Sequence, residues 1–301
     1  MSSIFSESKW FNNQPDILSS INIDIMKDVF NETHYLLEGL GDRTFTMPDI
    51  LIDKQRFFFI SAGFFESIDN TLKSILVCCK MGNFTDANVL LRKYRDNLFQ
   101  WLFIISLNEE LKDHTLDIDN CKVEFKGDSL KLLKSLLQLW FRNDKIERAH
   151  KRKYFDIQPY IEFIIKNEPS KTCYERFLKF IMVNLDTELN DYTHGNGKMF
   201  IQFNNSNYNR SNQNSILVSE ISERLEKVTA CFLSLLIMTK SSFLMSSDYS
   251  DYHEVNLEPP ENCQYWISPV FQLYIDKYLL KLHPDLKEYL SKNNPQCMII
   301  D

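Results

Sequence analysis

Ala87-Asn88-Val89-Leu90-Leu91-Arg92-Lys93-Tyr94-Arg95-Asp96-Asn97-Leu98-Phe99-Gln100-Trp101 is the stretch on which the fold turns. Ala87, Leu90, Leu91, Tyr94, Leu98, Trp101, Leu102 and Ile105 recur at intervals of three and four, the spacing of one helix face. Before it, Phe57, Ile60, Phe64, Ile68, Leu72, Ile75 and Cys79 make a second such stripe. The spacing therefore predicts a helical pair, Ile50–Lys80 and Ala87–Leu107. Met81-Gly82-Asn83 turns one into the other, with Thr85 as the expected N-cap and Asp86 placed for the helix dipole. So short a connection sets the helices antiparallel with their stripes facing.

Working outward, Asp16–Leu40 carries Ile21, Ile25, Val29, Leu36 and Leu37 at helical spacing, with Gly39 and Gly41 as the expected stop. Downstream, Leu130, Leu133, Leu136, Leu137 and Trp140 predict another helix, after a charged loop with a short strand near Cys121–Phe125. Ser170 is expected to open a helix through Phe177, Ile181, Leu185 and Tyr192 that ends at His194-Gly195. Asn204–Asn214 reads as a polar loop, and Ser215–Met245 as a long helix. Ser246–Gln264 is an acidic, tyrosine-rich linker. Ser268-Pro269 then supplies an N-cap with proline at the first helical position.

The expected fold is mainly α, a multi-helix bundle with a C-terminal helical extension. Residues 1–48 would be an N-terminal arm and first helix, 49–245 the bundle, and 246–301 the linker and extension. Only 7 Gly and 9 Pro in 301 residues argue against a β-sandwich or a glycine-looped nucleotide fold. The net charge of −7 removes a whole-protein nucleic-acid footprint and leaves only a local patch. Seven cysteines without C-x-x-C spacing read as small apolar residues of a reducing compartment. The N-terminus has no charged-then-apolar leader, and the run Val228–Met245 is interrupted by Thr229, Ser234, Thr239 and Lys240. The expectation is a cytoplasmic protein with no membrane contact.

Two segments carry candidate chemistry. Arg92, Arg95 and Asp96 concentrate charge beside the decisive stripe, and Arg92 and Asp96 stand at i, i+4. Such a pair either faces solvent or binds a phosphate or orients a histidine. About a hundred residues later comes Asn190-Asp191-Tyr192-Thr193-His194-Gly195-Asn196-Gly197. A histidine ending a helix sits at the negative pole of its dipole, and Asp191 stands three residues before it. A third segment, Arg142, Lys145, Arg148, Lys151, Arg152 and Lys153, is a candidate RNA contact flanked by Trp140, Phe141, Tyr154 and Phe155. Asp248, Asp251, His253 and Glu254 are too sparse for a metal site. No Walker loop, G-x-G-x-x-G, G-x-S-x-G or H-E-x-x-H occurs, so no cofactor and no metal are expected.

A helical hairpin bearing Leu90-Leu91-Arg92 followed by acids, then a later helix ending Tyr192-Thr193-His194-Gly195, resembles divergent members of the HEPN-like helical superfamily. Many of its members are prokaryotic toxin, abortive-infection and antiphage proteins. The resemblance spans Ile50–Asn196. It implies that His194 would be the acid/base for RNA cleavage through the 2′-hydroxyl, with an arginine stabilising the phosphorane charge. Active members separate that arginine from the histidine by four to six intervening residues. Here those positions hold Leu189, Glu188 and Thr187, so Arg92 or Arg95 would have to supply it. The broken spacing favours a non-catalytic member that binds a protein partner or a second copy of itself.

Overall fold

The long rods follow from helical apolar periodicity, and two of them are enclosed on more than one face. The structure, a computed structural model, describes residues 24–43, 50–52, 55–57, 61–112, 157–193, 211–246, 251–252, 255, 257–258 and 267–300. In chain order these form α1 (Asp24–Arg43), strands β1 (Ile50–Ile52) and β2 (Gln55–Phe57), α2 (Ser61–Lys80) and α3 (Phe84–Lys112). Then come α4 (Ile157–Ile164), α5 (Glu168–Cys173), a π-helical turn (Tyr174–Leu178), α6 (Lys179–Thr193) and α7 (Ser211–Lys240). After a 3₁₀ turn (Ser241–Leu244), α8 (Pro269–Tyr274), a second π turn (Ile275–Leu279), α9 (Leu280–Leu282) and α10 (Leu286–Asn293) complete the chain. The fold is mainly α.

The α2–α3 pair turns at Met81–Asn83, where Gly82 adopts φ 74°, a left-handed conformation that favours glycine. The first helix starts later than its spacing predicts. Ile50, Leu51 and Ile52 pair antiparallel with Phe57, Arg56 and Gln55, and α2 begins only at Ser61. Two β-branched isoleucines ahead of a two-residue connection favour the hairpin over continued helix. Helix α3 begins at Phe84, one residue before the expected cap, and Asn83 contributes its carbonyl to Ala87 N. Thr85 lies buried inside the first turn.

Three further boundaries move for identifiable reasons. Gly39 and Gly41 sit within α1 rather than ending it. A Cβ on Gly39 would lie 3.4 Å from Phe271 Cζ, so this glycine lets α8 approach α1 closely. Asn167, not Ser170, caps α5: its side chain accepts from Ser170 N at 2.8 Å, with Glu168 and Pro169 in the first turn. Ser170 is buried and donates instead to Met238 O. Ser211–Asn214, expected in the polar loop, form the first turn of α7. Ser268 precedes α8 as expected, but its carbonyl rather than its side chain meets the helix N–H groups.

Helix α3 is more deeply enclosed than a one-sided stripe implies. Phe99, Phe103 and Ile104 are buried together with Leu98, Trp101 and Leu102, because α2, α4, α6 and α7 all pack on this rod. Every residue from Val228 to Met238 of α7 is buried as well. By length and composition Gln213–Leu244 could cross a bilayer, and 72% of its apolar window lies inside the bundle. Trp101 is the hub of the core, with Phe65 at 4.7 Å, Phe243 at 5.8 Å and Phe232 at 6.0 Å between ring centroids. Leu36 and Leu40 of α1, Phe271 of α8 and Met298 of the C-terminal tail belong to the same apolar cluster. The predicted strand near Cys121–Phe125, the Leu130–Trp140 helix and most of Ser246–Gln264 lie outside the described residues.

Candidate functional site between α3 and α6

Helices α3 and α6 pack on one another, and both carry polar side chains along the seam. On α3 these are Asn88, Arg92, Arg95 and Asp96, spaced four, three and one apart, which puts them along one side of the rod. On α6 the matching line is Asp186, Asn190 and Thr193.

Arg95 occupies the middle of the seam and is 2% exposed. Its Nε lies 2.9 Å from Asp96 Oδ1, and a terminal nitrogen lies 2.8 Å from the same oxygen. Its other terminal nitrogen donates to Asp186 Oδ1 at 2.9 Å. Asp186 in turn accepts from Asn190 Nδ2 at 3.1 Å, while Asn190 Oδ1 is buried with no partner among the described residues. The guanidinium is therefore shared between two carboxylates, one from each helix. Burial pushes the Asp96 carboxyl above its ordinary value, against the opposing pull of Arg95 and Arg92.

Arg92 is placed differently. Its side chain is 28% exposed and reaches Asp96 only loosely, at 3.8 Å. It lines a cavity of about 260 Å³ together with Lys93, Asp96, Gln100, Tyr160 and Thr193. Gln100 Nε2 donates to the Tyr160 hydroxyl at 3.3 Å across this space. A second arginine, Arg224 of α7, fastens the other edge of α6. It holds Glu188 at 2.8 Å and Asn88 Oδ1 at 3.1 Å and lies over the Tyr192 ring.

Of the sequence candidates, Arg92, Arg95 and Asp96 come together at this seam. Asp191 is exposed on α6 and does not line the cavity. Helix α6 is described through Thr193, so His194 lies just outside the described residues. Arg142, Lys145, Arg148, Lys151, Arg152 and Lys153 lie outside them too, as do Asp248, His253 and Glu254. Asp251 is exposed, and no group of three metal-binding side chains converges among the described residues.

Sequence reasoning passed over Asp186 and Arg224, and took in Asn190 only as the first residue of the segment around His194. Asp186 and Asn190 stand four apart along the edge of the α6 stripe, a faint signal of a partnered acid. Arg224 lies between Ile221 and Leu225 with nothing local to mark it as a clamp. No family model, curated protein or solved structure matches this chain.

Proposed function

We propose that the protein is a cytoplasmic helical module that acts by binding a protein partner or a second copy of itself, in defence or stress response, and not by catalysis. The observation that carries this reading is the commitment of Arg95. A guanidinium buried between Asp96 and Asp186 is not available to a phosphate without breaking the link between α3 and α6. The arginine expected just before His194 is missing from the sequence as well. Helix α6 meanwhile presents Phe180 and Val183, three residues apart, at 78% and 53% exposure. Large apolar side chains so placed suit a surface that a partner covers.

A second reading has a specific observation in its favour. Thr193, the residue before His194, lines the same cavity as Arg92. In that reading the protein is a metal-independent ribonuclease of the HEPN-like kind. His194 takes the proton of a ribose 2′-hydroxyl, and Arg92, with donors to spare, stabilises the phosphorane charge.

Growth arrest on expression separates the two when compared among wild type, His194→Ala and Phe180→Asp/Val183→Asp. A binding module keeps its effect in the histidine variant and loses it in the surface variant. Loss of the effect in His194→Ala, with RNA cleavage by purified wild-type protein alone, establishes the ribonuclease instead. Light scattering that finds a strict monomer at high concentration removes self-association from the first reading.

A further inference from the structure

A second cleft, of about 270 Å³, opens between α1 and α2 on residues that the first site does not use. Helix α1 contributes His34, Glu38 and Asp42, at i, i+4 and i+8, and α2 contributes Glu66, Asp69 and Lys73. Leu37 and Phe65 lie beneath it, both buried in the core.

Asp69 organises the polar part. It is 8% exposed, with one oxygen 2.7 Å from His34 Nδ1 and the other 2.6 Å from Lys73 Nζ. A buried carboxylate at that distance selects the tautomer of the neutral ring. Nδ1 carries the proton and donates it to Asp69, and Nε2 keeps its lone pair. Such a partner fixes the ring's orientation. The His34 side chain is 38% exposed, so the ring is held by the buried acid yet remains open to the cleft.

The surrounding charge selects the ligand. Lys73 is matched by Asp69, which leaves Glu38, Asp42 and Glu66 around the opening. Asp69 first, then Glu38 and Glu66, hold the Lys73 ammonium above its ordinary value, which marks the local field as negative. An anion is repelled from such a cleft. A metal ion is disfavoured as well, because no three ligating side chains converge among the described residues. An organic cation with an N–H donor satisfies these groups: its charge meets the carboxylates and its donor meets Nε2. We propose that the α1–α2 cleft is a binding site for a small organic cation, a guanidinium or primary amine, whose donor hydrogen-bonds to Nε2 of His34.

The test uses the full chain with isotope-labelled histidine and follows the His34 ring by NMR, assigned through His34→Gln. The probes are n-butylguanidine and its neutral isostere n-butylurea. Saturable shifts of the His34 ring with the guanidine and none with the urea are expected. Glu38→Gln/Glu66→Gln alters exposed residues only, so it leaves thermal unfolding unchanged while weakening the guanidine by about tenfold, roughly 1.4 kcal/mol. Absence of saturable shifts, equal response to the two probes, or undiminished affinity in the double variant each overturns the assignment.

Discussion

Arg95→Met keeps most of the buried aliphatic length of the side chain and removes its charge and all its donors. The wild-type guanidinium makes three contacts of 2.8–2.9 Å with Asp96 and Asp186. Removing one partner of a fully buried ion pair costs about 3–5 kcal/mol, because the remaining charge is left without compensation. Here the side chains of Asp96 and Asp186 are 33% and 44% exposed and regain water by small rotations. The expected loss is therefore smaller, about 2–3 kcal/mol. For a chain of this size that lowers the melting temperature by about 3–5 °C. Urea unfolding followed by circular dichroism gives the free energy directly, with an unchanged m-value as the check that only stability moved. Asp186→Ala breaks the link to α6 but leaves Arg95 on Asp96, so it should cost only about 1 kcal/mol. If Arg95→Met stays within about 0.5 kcal/mol of wild type, the ion pair is incidental. Loss of RNA binding in that same variant would then make Arg95 a ligand group, against the reading given above.

The remaining expectations test separate parts of the structure. Because burial raises the Asp96 carboxyl, its ionisation opposes folding; the favourable contribution is complete below the ordinary carboxylate value and is lost as pH rises through the folded one. Wild type should therefore gain stability relative to Asp96→Asn on acidification from roughly pH 7 to pH 4, seen in paired urea melts; a gap independent of pH contradicts this. Gly39→Ala should be neutral or stabilising by up to about 1 kcal/mol, since its Cβ just reaches Phe271, whereas Gly39→Val should lose about 1–3 kcal/mol by overpacking. Asn294 bonds Met298 through both its amide donor and its carbonyl, so Asn294→Ala should speed amide exchange over residues 297–300 while leaving α3 and α7 protected. Cys173, its thiol pushed up to about 12 by burial, should resist alkylation under native conditions while exposed Cys297 reacts.

The existence of the long rods was legible because each leaves a stripe with the helical period, and the stripes of α2, α3, α6 and α7 are long. Their ends were less legible, since an end depends on contacts that periodicity does not encode. Gly39 looks like a stop until Phe271, more than two hundred residues away, requires a surface with no side chain. Ser170 looks like a cap, but its hydroxyl is wanted by Met238 O, and Asn167 takes the role. Ile50–Phe57 fits a helical stripe if only Phe57 and Ile60 are counted. The β-branched residues at 50 and 52 then decide for pairing.

The polar seam shows where sequence reading reached and where it stopped. Grouping Arg92, Arg95 and Asp96 as one charged face beside the stripe treats the arginines as equivalent, yet the spacing separates them. Leu91, Arg95, Leu98 and Leu102 stand four, three and four apart, which puts Arg95 inside the stripe and leaves Arg92 at its margin. A charged residue in a buried stripe requires an acid from elsewhere, and Asp96 alone cannot occupy every donor of the fork. The second acid had to come from a helix packed on α3, and Asp186 is that residue. The same argument applies to Asp69, which sits beside Ile68 and Leu72 in the α2 stripe and finds His34 on α1. In both cases the sequence marks the buried charge, while only the packing identifies what neutralises it. The groups left open beside those pairs, Arg92 in one cleft and His34 in the other, are consequently the ones on which ligand chemistry should be sought.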